Sequence, residues 1–172
     1  PDALDAIKSW GWLFISADVV WPDKKSAEVA VIDSGVDAAH PELKGWVVNG
    51  PDLVNGDNVS NDDNGHGNHV AGIPAARVNN KAGIAGVSGT KIYAVKVLDA
   101  TGFGTHWDVA LGIRKAADRS SVRVINVSLG GEDSTITLQD AVEYAVVTKN
   151  KLLVAAAGNS SGGPLVTNPF YP

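Results

Sequence analysis

The sequence predicts an α/β fold, a parallel doubly wound sheet with helices on both faces. Three observations carry that reading. Apolar runs of strand length alternate with segments of helical spacing along all 172 residues. Most of those runs are solidly apolar instead of alternating with polar residues, the pattern of strands buried on both faces. No internal repeat and no shift in composition divides the chain, so one domain with a real core is expected.

Pro1 to Trp21 holds Trp10, Trp12 and Trp21 among Leu13, Phe14, Ile15, Val19 and Val20, and reads as short helical turns draped over the core. The first strand is expected near 28–33, where Val29-Ala30-Val31-Ile32 runs into Asp33-Ser34-Gly35. His40-Pro41-Glu42-Leu43 reads as a turn, because proline pushes its predecessor out of the helical region. Trp46-Val47-Val48 is a short strand candidate, and Asn49 to Asn64 is a long polar loop of the kind that often carries function. A helix starts at His66, and a loop over 79–83 follows it. Lys91 to Leu98 reads as a strand, Gly102-Phe103-Gly104 punctuates its exit, and Trp107 to Arg119 is helical. Val122 to Leu129 is the next strand, Thr135 to Asn150 the next helix, and Leu152 to Ala157 the last strand.

Composition removes several classes of function. Fourteen basic residues against nineteen acidic ones leave a formal charge of -5, with no basic footprint for nucleic acid or for an anionic membrane. No run approaches 18 apolar residues, so no membrane-crossing helix is expected. Without cysteine the chain has neither disulfides nor thiolate metal sites. It starts at Pro1 with no basic-then-apolar leader, and so reads as a processed chain or a piece of one.

The candidate chemistry lies in Asn64-Gly65-His66-Gly67-Asn68-His69-Val70-Ala71-Gly72. Glycines on both sides of His66 permit close approach and unusual backbone angles, which suits an imidazole presented at a helix start. Histidine can move protons near neutral pH. Asp33 closes the first strand, at the sheet edge where open α/β folds place their ligands. Ser128-Leu129-Gly130 and Gly158-Asn159 follow two further strands at the same edge. An acid that orients a histidine, plus an amide that could bind an oxyanion, makes three parts of an acyl-transfer site. A nucleophile is missing, since no serine stands in a Gly-x-Ser-x-Gly elbow.

Asp33-Ser34-Gly35, His66 to Gly72, Ser128-Leu129-Gly130 and Ala156-Ala157-Gly158-Asn159 occur in the order and spacing of subtilisin-like serine proteases. The chain therefore resembles the N-terminal portion, residues 1–172, of a single subtilisin-like peptidase domain. The resemblance implies a serine endopeptidase acting on polypeptide through an acyl-enzyme, with Asp33 as triad acid, His66 as general base and Asn159 as oxyanion donor. It implies that Ser128, Leu129 and Gly130 pair with the substrate backbone, with Gly102 and Gly104 as the opposite wall. His106 and Leu129 would stand near a more distal subsite. Ala156, Ala157 and Gly158 would line the pocket for the residue before the scissile bond. It further implies secretion, a propeptide or protein inhibitor as partner, and for some members a structural calcium, for which Asp57 and Asp62 in the polar loop are the candidate ligands.

Three departures from the family pattern matter. The chain ends at Tyr171-Pro172, before the Gly-Thr-Ser-Met-Ala-type segment that supplies the nucleophile. The 172 residues are accordingly expected to be inert alone, with a companion C-terminal chain or a missing segment carrying the serine. Asn68 stands where the family has threonine. Pro74 falls where the family continues its helix, so the helix is expected to kink or end near Ile73. Rival readings are weaker: His66-x-x-His69 lacks a third zinc ligand, and His69 is expected to be buried and hydrogen-bonded. Gly102-Phe103-Gly104 lacks the context of a phosphate loop. The alternative from another class is a non-catalytic relative that binds peptides or acts in assembly.

Overall fold

The computed structural model describes residues 11, 14–17, 27–159 and 171. Five strands form one sheet: β1 (Glu28–Asp33), β2 (Val47–Asp52), β3 (Lys91–Lys96), β4 (Val122–Val127) and β5 (Leu152–Ala155). Their spatial order is β2-β3-β1-β4-β5, and every pairing is parallel. All five carboxyl ends therefore meet at one rim, with Asp33 of β1 in register with Lys96 of β3.

Alternate side chains of the central strands feed two separate cores. Val31, Ile92 and Ala94 pack on one face with Val70, Ala71 and Ala75 of helix α1 (His66–Ala75). Ala30, Ile32 and Val95 pack on the other with helices α2 (His106–Asp118) and α3 (Ile136–Glu143). Helices thus cover both faces of a parallel sheet. Thr105 and Thr135 start α2 and α3 by accepting hydrogen bonds from Asp108 N and Leu138 N, the ordinary work of an N-cap hydroxyl.

Several expected boundaries shift. β2 runs on to Asp52, into the stretch expected to be loop, because Asn49 and Asp52 still pair with Ala94 and Lys96 across a bulge. β3 stops at Lys96, since the amides of Val97 and Leu98 both turn to the carbonyl of Asp33, at 2.8 and 3.2 Å. β4 and β5 end at Val127 and Ala155, and the residues beyond them leave the ladder at the rim. Past Glu143 the helical path widens into a π-turn over Tyr144–Thr148.

Helix α1 ends at Ala75, two residues past Ile73, with Pro74 inside it. Proline removes one amide donor from the last turn, and the contacts made around that turn offset the loss. Ala76 N–H still reaches Gly72 O at 3.0 Å, and the carbonyls of Ile73 and Pro74 accept the amides of Val87 and Ser88 at 2.9 and 3.0 Å. Of the N-terminal segment only residues 11 and 14–17 are described, and Ile15 N–H reaches Gly11 O at 3.1 Å there, as in a helical turn. Trp10, Trp12 and Trp21 lie outside the described residues, while Phe14 and Ile15 are exposed and Ala17 is buried against Ala85.

Candidate active site

The rim of the sheet is built around the start of α1. Gly65 takes the N-cap position with φ of 102°, a left-handed conformation that a side chain would strain, and has no side-chain cap of its own. Asp62 supplies the missing acceptor. Its Oδ1 accepts the amides of Asn64 and Gly65 at 3.0 and 2.9 Å, and its Oδ2 accepts Asn68 N–H at 2.8 Å. Ser34 Oγ donates to the same carboxylate at 2.8 Å while accepting Gly67 N–H at 3.0 Å. A Cβ on Gly67 would lie 1.9 Å from the carbonyl oxygen of Gly35, so only glycine lets α1 approach the end of β1 this closely.

That approach brings His66 Nδ1 to 2.8 Å from Asp33 Oδ1. Asp33 is fully buried, whereas the His66 side chain is 48% exposed. The same Oδ1 accepts Ser34 N–H at 2.7 Å, and Oδ2 is buried with no hydrogen-bond partner among the described residues. Burial pushes the Asp33 carboxyl above its ordinary range, although hydrogen bonds from His66 and Ser34 pull the other way. A carboxylate acceptor at Nδ1 favours the tautomer with its proton there, which leaves Nε2 free to act as a base.

A buried cation underlies this pair. Lys96 is 1% exposed, and its Nζ donates to Ser34 O at 2.8 Å, Leu98 O at 2.7 Å and Asp63 Oδ1 at 2.6 Å. One ammonium thus ties the residue after Asp33, the loop before His66 and the wall of the groove. The sequence reading passed over Lys96, Ser34 and the capping role of Asp62. A lysine at each end of β3 gave no signal of which one is buried, although a buried charge must find partners.

His66 and Asn159 line one cavity of about 400 Å³, together with Gly102, Ser128, Leu129, Gly130, Ala156 and Gly158. Leu98, Thr101 and Asn64 complete its wall. Two expected members stand apart: Gly104 lines the neighbouring cavity, and Ala157 is exposed and does not line this one. Asn68 keeps a hydrogen bond in its unusual position, accepting Asp37 N–H at 2.7 Å. His69, expected to be buried and hydrogen-bonded, is exposed instead. The carboxylates of Asp57 and Asp62, the candidate calcium ligands, are both engaged by the chain itself. Asp57 Oδ1 accepts Val59 N–H at 2.8 Å, and both oxygens of Asp62 are taken by donors. Among the described residues no group of three or more His, Asp or Glu side chains could hold a metal ion.

Comparison with known proteins is consistent along most of the chain. The family model described as the subtilase family matches residues 24–171. Thermitase of Thermoactinomyces vulgaris is 44% identical over 168 residues, covering 96% of this chain and 58% of that protein. A thermophilic serine proteinase of Bacillus sp. (strain AK1) is 50% identical over 147 residues, covering 83% of this chain and 36% of that protein. The crystal structure of a cold adapted subtilisin-like serine proteinase is 39% identical with a TM-score of 0.70, over 80% of this chain and 48% of that one. The chain thus spans between about a third and three-fifths of the length of the proteins it matches.

Proposed function

We propose, from the premise that this chain belongs to the subtilase family, that it is the part of a serine endopeptidase that supplies the acid, the base and an oxyanion donor. The observation that carries this reading is the 2.8 Å contact between Asp33 and a half-exposed His66 inside a cavity shared with Asn159. The nucleophilic serine belongs to a segment outside these 172 residues, as further sequence or as a companion chain.

Each residue then has a defined step. With a peptide in the groove, Nε2 of His66 takes the proton of the serine hydroxyl as its oxygen attacks the scissile carbonyl. Asp33, hydrogen-bonded to Nδ1, holds the ring in place and stabilises the imidazolium that forms. The Asn159 amide donates a hydrogen bond to the oxygen that becomes negative, in a site where such donors are worth about 10²–10³ in rate. Collapse of the tetrahedral adduct breaks the C–N bond, and His66 returns the proton to the leaving amine. Water, activated by the same imidazole, hydrolyses the ester and regenerates the serine. Residues 128–130 pair with the substrate backbone as an added strand. Secretion belongs to this reading too; among the described residues no helix is long and apolar enough to cross a membrane.

A fluorophosphonate probe on the complete protein tests the assignment. Labelling of a serine outside residues 1–172, abolished in a His66→Ala variant, is the expected result. A folded complete protein that takes no label and cuts no peptide is instead a peptide-binding relative, the reading to which the asparagine at position 68 lends some weight.

A further inference from the structure

A second cavity, of about 330 Å³, adjoins the one that holds His66 and Asn159. The two share Leu98, Gly102, Leu129 and Gly130, so a peptide strand laid along residues 128–130 passes from one into the other. Successive side chains of such a strand point to opposite sides at about 3.3 Å per residue, and one of them meets the second cavity.

The floor of this cavity is apolar, made by Leu98, Val109, Leu129 and Leu138. Its mouth is not. Glu132 and Asp133 stand there, both exposed, and neither carboxylate is engaged by a hydrogen bond or ion pair among the described residues. Among the described residues no lysine or arginine lines the cavity, and His106, at the start of α2, and Tyr171 are its other titratable side chains.

We propose that this cavity selects a basic side chain, lysine or arginine, on the polypeptide substrate. The proposal rests on the protease reading above and extends it to specificity. An apolar floor under a negative rim matches a long aliphatic stem with a cationic tip, which buries its methylenes and keeps its charge at the water-exposed edge. A leucine or phenylalanine side chain fills the floor and meets Phe103 but gains nothing from the two carboxylates. A glutamate side chain meets like charge there and is rejected, so the rim both attracts and repels. Two solvent-exposed carboxylates acting together correspond to roughly a tenfold preference, and one that salt weakens.

The test uses the complete protein and a peptide series with one scissile sequence. Lysine, leucine or glutamate is placed at each of the second to fifth positions before the cleaved bond. The expected result is one position where kcat/KM follows Lys over Leu over Glu, with about a tenfold first step. That step shrinks in 1 M NaCl and in a Glu132→Gln/Asp133→Asn double variant, while cleavage of the all-leucine peptide is unchanged. A preference for leucine at every position, or a lysine preference that the double variant retains, overturns the proposal. If no peptide is cut and no serine labels, the protease reading fails instead. The same peptides, dye-labelled and followed by anisotropy, then decide the cavity: equal affinity for lysine and leucine overturns it.

Discussion

Lys96 Nζ lies 2.8 Å from the main-chain oxygen of Ser34, the residue that follows Asp33. This sets a buried ammonium against the residue next to Asp33 of the Asp33–His66 pair, with its other contacts to Leu98 O and Asp63. The strand end that carries Asp33, the loop that delivers His66 and the groove wall are fixed to one point. We therefore expect the geometry of the pair to depend on an ammonium that bonds to neither side chain of it.

Lys96→Met tests that dependence in the complete, inhibitor-blocked protein. Methionine keeps the volume but leaves two buried carbonyls without a donor, at a cost of about 3 kcal/mol. A denaturant midpoint shift of that order is expected. The decisive readout is activity per folded molecule: a drop of about tenfold in kcat with little change in KM marks a positioning role, because small misplacements of catalytic groups cost rate. Full activity in the folded fraction would reduce Lys96 to a structural residue.

Asp33→Asn separates the two consequences of burying a carboxylate. An asparagine amide no longer enforces the Nδ1 proton, so kcat is expected to fall by about 10⁴-fold with binding preserved. Stability moves the other way. A carboxyl whose folded pKa is raised, here by burial, binds protons more readily in the folded state, so it opposes folding progressively as pH rises through and above the ordinary carboxylate range. The variant should therefore gain stability relative to the parent between pH 3 and pH 7, measured by urea unfolding. A constant difference across that range would show that the burial effect is not expressed.

Glu28 and Arg119 provide a control far from the groove, at the opposite end of β1. Arg119 Nε donates to Glu28 Oε2 at 2.5 Å, Ser121 Oγ adds a second donor at 2.7 Å, and the guanidinium lies 4.6 Å from the centre of the Tyr93 ring. The Arg119 hydrogen bond, partly opposed by burial, holds the Glu28 carboxyl below its ordinary value. Its contribution is thus present above the ordinary carboxylate range and is lost as pH falls below it. Glu28→Gln is expected to cost about 2 kcal/mol at pH 7, with the difference closing by pH 3 and activity per folded molecule unchanged. Altered kcat would contradict the separation of this end of the sheet from the catalytic rim.

These residues also show what a sequence discloses. The five apolar runs were legible because a strand buried on both faces has no choice but to be apolar. Asp33, His66 and Asn159 were legible because glycines and strand ends mark where a side chain can be presented. Lys96 was not, since nothing in Lys91-Ile92-Tyr93-Ala94-Val95-Lys96 says which lysine turns inward: the first is exposed and the last is 1% exposed. Asp62 stayed open for a related reason. An acid in a polar loop suits a cation and a helix cap equally well, and only the fold shows that four N–H and O–H donors reach it first. Pro74 marked the neighbourhood of the helix end but not its last residue, Ala75, because a periodic pattern does not fix a terminus to the residue.

Asp62 is the last residue whose role the geometry makes testable, and its effects reach the base directly. Burial tends to raise its carboxyl, but hydrogen bonds from Gly65, Asn68, Ser34 and Asn64 outweigh this and lower it. A lowered acid stabilises the fold above the ordinary carboxylate range and ceases to do so as pH falls through its depressed value. Asp62→Ala leaves the amides of Asn64, Gly65 and Asn68 without this acceptor, and the loss of a charged cap with several donors is expected to cost about 2 kcal/mol. Because His66 is the first residue of α1, that loss should not be spread evenly over the fold. Amide hydrogen exchange is expected to quicken over residues 64–69 ahead of the β1 and β3 amides, and kcat to fall with it. Asp62→Asn, which keeps two acceptor-capable positions' worth of shape but only one acceptor oxygen, should fall between the two. Equal exchange rates in all three proteins would mean that the start of α1 is held by Gly67 and Ser34 alone, and that the carboxylate contributes nothing to presenting the imidazole.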